Sequence, residues 1–277
     1  MKRTQIELTR KIAKFIVKTD ASNIPPTIYE HAKVAFMDWF AVTMAGKDEP
    51  LVLKLTRFAN LMGGHEQATV LGHGLRTSVS MAALINGSAS HALDYDDTMS
   101  VFMGHPSVTL FPSLLTLSEW KEKSGMDLLT AYIVGLKVGA CIGACAGLEH
   151  YSAGWHATCT IGVLASAAGC AKLMGLDEQQ TLYALGIAGT QASGLKRVFG
   201  TMCKPMHAGR ASQIGLEAAL WASEGFTSAE DILEGPEGFF QALHCRANEE
   251  ELEKAVESLG KTWEIENLAQ KYHASAG

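Results

Sequence analysis

Residues 127–148 read DLLTAYIVGLKVGACIGACAGL, and the reading of this stretch decides the fold. Asp127 is a capping residue type placed before an apolar run, which predicts a long helix from Asp127 to about Leu148. Gly135, Gly139, Gly143 and Gly147 recur along it at every fourth position. Each glycine inside a helix costs about 1 kcal/mol relative to alanine. Four on one row make a ridge that another helix can approach closely, a steric logic shared with membrane helices. We read the ridge as packing and give it no chemistry. A second small-residue run, Thr160 to Met174, is closed by Gly175 and predicts a helix of the same kind. A membrane span needs about 20 mostly apolar residues. Lys137 interrupts the first run and Lys172 closes the second, so both are expected to be interior helices, with no membrane partner.

Helical patterns continue on both sides. Thr4 to Thr19 places Ile6, Ile12, Phe15 and Ile16 near one face. Pro25 and Pro26 suit the first turn of a helix that stops at Gly46, with Ile28, Ala32, Ala35, Phe36, Trp39 and Phe40 inward. Pro50 opens a third helix ending at Gly63 and Gly64. Thr69 to Leu71 is one of very few strand candidates. A small-residue helix covers Ser78 to Ala92, and Ser107 or Ser113 starts the next one. Asp177 caps a helix to about Gln191, and Pro205 or Met206 starts another that reaches Glu224. Short helices are expected near Ala229 to Leu233 and Glu249 to Leu259. The fold class is all-α, helices packed on helices.

Bulk composition narrows the function. The 277 residues are 47% hydrophobic and 19% charged, with a net charge of −6 and a pI near 5.9. That material fills a large core and offers nothing to nucleic acid or an anionic membrane. The six cysteines, Cys141, Cys145, Cys159, Cys170, Cys203 and Cys245, form no CxxC pair. We expect reduced, mostly buried thiols and a cytoplasmic protein.

The chemistry concentrates in residues 91–105, HALDYDDTMSVFMGH, followed by Pro106 and Ser107. His91, Asp94, Asp96, Asp97 and His105 fall within fifteen residues, just past an apolar helix. Clustered carboxylates repel, and each loses hydration on burial. Metal binding, capping or proton transfer each accounts for such a cluster. The spacing matches neither HExxH nor a cysteine–histidine cage, and the Asp94-Tyr95-Asp96 pair lacks a phosphate-binding glycine loop. No GxSxG elbow and no GxGxxG turn is present. Ionisable groups also flank turns at Gly154-Trp155-His156, at Lys204 to Arg210 and at Lys271 to His273. Imidazoles near ammonium groups suit removal of a proton beside a carboxylate, with the positive charges stabilising the enolate.

Five segments then carry a resemblance: HALDYDDT from His91, HPS from His105, GWHATCTIG from Gly154, GIAGTQASG from Gly186 and MCKPMHAGRASQ from Met202. In this order they resemble the MmgE/PrpD family, which includes 2-methylcitrate dehydratases, cis-aconitate decarboxylases and an iminodisuccinate epimerase. The resemblance implies a large helical domain, here 1–266, and a smaller α+β lid domain, of which 267–277 begins the connecting segment. It implies a homodimer, no metal and no organic cofactor. The implied reaction is that of a lyase or isomerase on a small di- or tricarboxylate, with a 2-methylcitrate dehydratase as the reference. Position by position it points to Asp94, His105, His156, Lys204 and His207 as catalytic, and to Thr98, Lys204 and Lys271 as substrate-binding. His105 or His156 is expected to move the proton, and Asp94 to orient a histidine. Met99, Val101, Phe102 and Met103 are more apolar than the pattern and are expected to shape the substrate pocket. The lid is expected to be missing from this chain, so the competing expectation is an inactive helical scaffold that dimerises or binds a small acid.

Overall fold

In the computed structural model, which describes residues 6–271, the chain folds around helix α6 (Gly125–Ser152) and helix α7 (Ala157–Met174). Both are long and apolar enough to cross a membrane, yet 89% of each apolar window is buried inside the fold. They are core helices. Lys137 explains itself: only 1% of its side chain is exposed, and its Nζ reaches Ser258 Oγ (3.1 Å), Thr262 Oγ1 (3.0 Å) and Glu264 Oε1 (2.7 Å). A buried ammonium is tolerated when each proton has an acceptor.

Helix α6 begins earlier than the sequence suggests. Ser124 is the cap, its Oγ accepting from Asp127 N at 3.1 Å, while the Asp127 carboxylate accepts from Ser124 N at 3.0 Å. This is a reciprocal capping box, so Asp127 sits in the first turn rather than before it.

The glycine ridge does more than admit helices. Gly135 faces Leu110 and Ala165, on the helices packed to either side. Gly139 and Gly143 instead face Phe102 and the Val101 carbonyl. The ridge therefore seats the loop that leads to His105. Met99 and Phe102 are core residues, Phe102 packing on α6, and neither is among the residues that line the cleft described below.

The remaining elements enclose this pair. Helices α1 (Leu8–Lys18), α2 (Pro26–Gly46), α3 (Pro50–Met62), α4 (Val79–Ser90), α5 (Ser107–Lys121), α8 (Glu178–Thr190), α9 (Cys203–Ser223), α10 (Phe239–Ala242) and α11 (Glu249–Ser258) complete the described helical set. Strand β1 (Ala68–Val70) pairs antiparallel with β2 (Leu75–Thr77), which the sequence pattern did not reveal. Helix α9 packs on α7, α4, α8 and α5. The fold is all-α apart from this hairpin.

Three local expectations change. Phe40 is exposed, because it lies about 100° around the helix from Trp39, which takes the inward position. No helix forms at residues 229–233: residues 230–234 are turns, and Leu233 N donates to Thr9 Oγ1 on α1 instead of to a helical carbonyl. Helix α9 starts at Cys203, two residues before Pro205, which sits in the first turn where its missing N–H costs nothing. Four cysteines are buried, whereas Cys203 is exposed and Cys245 half-buried.

Candidate active site

Small residues bring the site together. Gly87 on α4 and Gly209 on α9 face each other without side chains, and a Cβ on Gly87 would stand 2.7 Å from Gly209 Cα. Close approach there sets His91, at the C-terminal cap of α4, beside the first turns of α9 that carry Lys204 and His207. His156 caps the start of α7, and its N–H donates to the Gly194 carbonyl at 2.9 Å. The chain's C-terminal segment joins through backbone pairing: Thr98 N to Ala269 O at 2.8 Å and Ala269 N to Thr98 O at 2.9 Å. Two residues later comes Lys271.

Asp94 is the meeting point of the cations. Its Oδ2 lies 2.9 Å from Lys204 Nζ and its Oδ1 2.9 Å from Lys271 Nζ. Lys271 also donates to the Asp94 carbonyl at 3.1 Å. Asp94 adopts φ +56°, a left-handed conformation that Asp tolerates better than most residues. Burial works against its charge, but the two ammonium groups hold its carboxyl below the usual range.

Asp96 is the meeting point of imidazoles. His91 Nδ1 lies 3.0 and 2.9 Å from its two oxygens, and His105 Nδ1 lies 2.8 Å from Oδ2. Asp94 Oδ1 stands farther from His105, at 3.7 Å from Nε2. The carboxylate that orients the histidines is thus Asp96, while Asp94 organises the lysines. Asp96 is buried, which disfavours its charge, yet His91 and His105 outweigh this and hold it far below a normal carboxyl. Burial lowers His91 despite Asp96. A neutral His91 donating Nδ1–H to an ionised Asp96 satisfies both shifts.

A second imidazole pair lies alongside. His156 Nδ1 and His207 Nδ1 are 2.9 Å apart, and the His156 ring stacks at 6.2 Å from His91. Burial, then the nearby His91, His207, His105 and Lys204, push His156 down to about 2. Burial and His91 also lower His207. The Phe199 ring covers His156 edge-on at 4.8 Å.

Asp97 faces the other way, into the core. It accepts from Ser107 N at 3.3 Å and from the Ser107 hydroxyl, which also meets Tyr132 Oη at 2.8 Å. Burial, offset in part by Ser107 and aided by Asp96, raises Asp97 to about 7. It clamps the start of α5, two residues after His105.

A cleft of about 480 Å³ opens over this cluster. Its lining includes Glu49, His91, Asp94, Phe199, Thr201 and Lys204. Of the seven residues singled out from sequence, Asp94 and Lys204 line the cleft. His105, His156, His207 and Lys271 lie in the same polar cluster without lining it, and Thr98 pairs with Ala269 beside it. Thr98 contributes through its backbone. His273 lies outside the described residues. His91 and Asp96 belong to the network although sequence reasoning did not select them. The signal was within the same eight residues, and only the loop's folding separates Asp96 from its neighbours.

One donor atom from each of His91, Asp94, Asp96 and His105 comes within 4.8 Å of the others, close enough to hold an ion. The two ammonium groups already on Asp94 would repel a divalent cation there.

Known proteins share this chain's pattern. The MmgE/PrpD N-terminal domain family matches residues 10–251. The cis-aconitate decarboxylase-like protein oryM of Aspergillus oryzae is 29% identical over 283 residues, covering 98% of this chain and 59% of its own length. The cis-aconitate decarboxylase of Aspergillus terreus is 30% identical over 281 residues, 98% of this chain and 57% of that protein. The Homo sapiens cis-aconitate decarboxylase is 28% identical over 238 residues, 84% of this chain and 49% of its own. The chain thus spans between about half and three fifths of the length of these relatives.

Proposed function

The chain belongs to the MmgE/PrpD family, and we propose that its cleft serves a lyase that forms a carbanion next to a carboxylate of a small tricarboxylate. The observation that carries this reading is the pair of ammonium groups, Lys204 and Lys271, both 2.9 Å from one carboxylate beside the imidazole cluster. A substrate carboxylate competes with Asp94 for these two cations. The relatives' names favour decarboxylation, with cis-aconitate as the first acid to try.

In that reaction the bond from carbon to one carboxylate breaks and carbon dioxide leaves. The electron pair spreads toward a remaining carboxylate, whose growing charge Lys204 and Lys271 stabilise. His105, oriented by Asp96 at 2.8 Å, then delivers a proton to carbon. His156 is held neutral by burial and suits positioning of His207 rather than acid catalysis. Dehydration and epimerisation reach a similar carbanion by loss of a proton, so the product identifies the reaction. The same reading takes the working form to be a homodimer that needs no organic cofactor.

The test is turnover of cis-aconitate and of 2-methylcitrate by the purified protein, followed by carbon dioxide release and product analysis. His105→Ala and Lys204→Ala are expected to abolish turnover while circular dichroism stays unchanged. Full activity in both variants would defeat the assignment.

A further inference from the structure

His91 stands between the cleft and the imidazole cluster. Among the described histidines it alone appears in the cleft's lining, and its side chain is fully buried behind that wall. Its Nδ1 faces Asp96, the more acidic partner, so the ring proton sits on Nδ1 and is donated to that carboxylate. Nε2 is left as an acceptor. It is buried and has no hydrogen-bond partner among the described residues. Buried polar atoms are nearly always paired, and an exception in a residue that lines a cleft points to a donor that arrives with a ligand. Of the flanking rings, at 4.5 Å (His105) and 6.2 Å (His156) between centroids, His156 engages His207 through Nδ1, while His105 Nδ1 lies 2.8 Å from Asp96 Oδ2 as an ion pair outside hydrogen-bond geometry.

We propose that His91 is a further catalytic residue, whose Nε2 exchanges a proton with the reacting carbon of an acid seated in the cleft. The proposal rests on the lyase reading above. In the removing direction a C–H bond breaks, an N–H bond forms at Nε2, and the electron pair stays on carbon as an enolate next to Lys204. In the returning direction that N–H bond breaks and a C–H bond forms. The positive charge on the ring is met by Asp96 throughout, so no other reactant is needed. One carboxylate steadies whichever of His91 and His105 holds the proton.

Two measurements on the full chain test this. In ¹⁵N-labelled protein, titration with tricarballylate is expected to shift one Nε2 resonance, and that resonance is absent in His91→Gln. A His91 resonance that stays fixed while the acid saturates the protein overturns the proposal. In heavy water, His91→Ala is expected to lose at least about 100-fold in exchange at the substrate carbon, the scale of general acid–base catalysis, and to regain part of it with added imidazole. Exchange at the wild-type rate in His91→Ala overturns it as well. A wild-type chain that binds the acid but exchanges nothing defeats the lyase reading, and the His91 resonance then still decides the contact.

Discussion

The Nδ1 atoms of His156 and His207 lie 2.9 Å apart, so the pair holds one shared proton and cannot hold two. One ring donates and the other accepts. Acid would place a proton on both and push the rings apart.

This relationship predicts how stability depends on pH. Burial depresses His91, His150, His156 and His207 in the folded state. A depressed histidine is neutral when folded and protonates when unfolded, so its contribution is present above about pH 6.5 and is lost as pH falls. Each fully linked group costs about 1.4 kcal/mol per pH unit below that point. Urea unfolding between pH 7.5 and 5 is expected to show a falling midpoint, and a flat profile would contradict the buried neutral imidazoles.

Asp97 acts with the opposite sign. Raised to about 7, it stays protonated in the fold while the unfolded carboxyl ionises near 3.8, so it adds stability as pH falls through that window. Asp97→Asn keeps an acceptor for Ser107 and removes the titration. The variant is expected to gain on the order of 1–3 kcal/mol relative to the parent between pH 5 and pH 8. Paired urea melts at the two pH values measure this gain.

Lys271→Ala removes one of the two ammonium groups on Asp94. A charge-assisted hydrogen bond contributes about 1.5–3 kcal/mol, so KM for the substrate is expected to rise about 10- to 150-fold. Steady-state kinetics and direct titration with the acid are expected to agree. An unchanged KM would remove Lys271 from substrate binding.

Gly143→Ala tests the ridge. The new methyl meets the Val101 carbonyl and the Phe102 backbone, so backbone has to shift. Overpacking of this kind costs about 1–3 kcal/mol, and the shifted loop carries His105 with it. Tm and turnover are both expected to fall, whereas Gly125→Ala, in open space at the helix start, is expected to leave turnover intact.

Much of the architecture was legible because glycine and proline mark the ends of helices α2, α3 and α7 directly in the chain. The site was legible as a motif but not as a network. Asp94, Asp96 and Asp97 are the same chemistry in sequence, and they part company in a loop that turns left-handed at Asp94. One then meets lysines, one histidines and one a serine inside the core. Nor could local pattern reveal that Phe102 belongs to α6, or that Lys137 has partners more than 120 residues away. Such assignments depend on long-range packing, which periodicity does not encode.

Lys137 has one more consequence. Its three acceptors, Ser258, Thr262 and Glu264, all precede the short pairing at Ala269 that delivers Lys271. The interior lysine therefore moors the tail from beneath, and the second cation reaches the cleft on a tether anchored in the hydrocarbon heart of the molecule. Cutting that anchor by Lys137→Met would leave α6 packed and yet let the tether drift, and the cleft would lose a fixed second cation through a residue buried far beneath it.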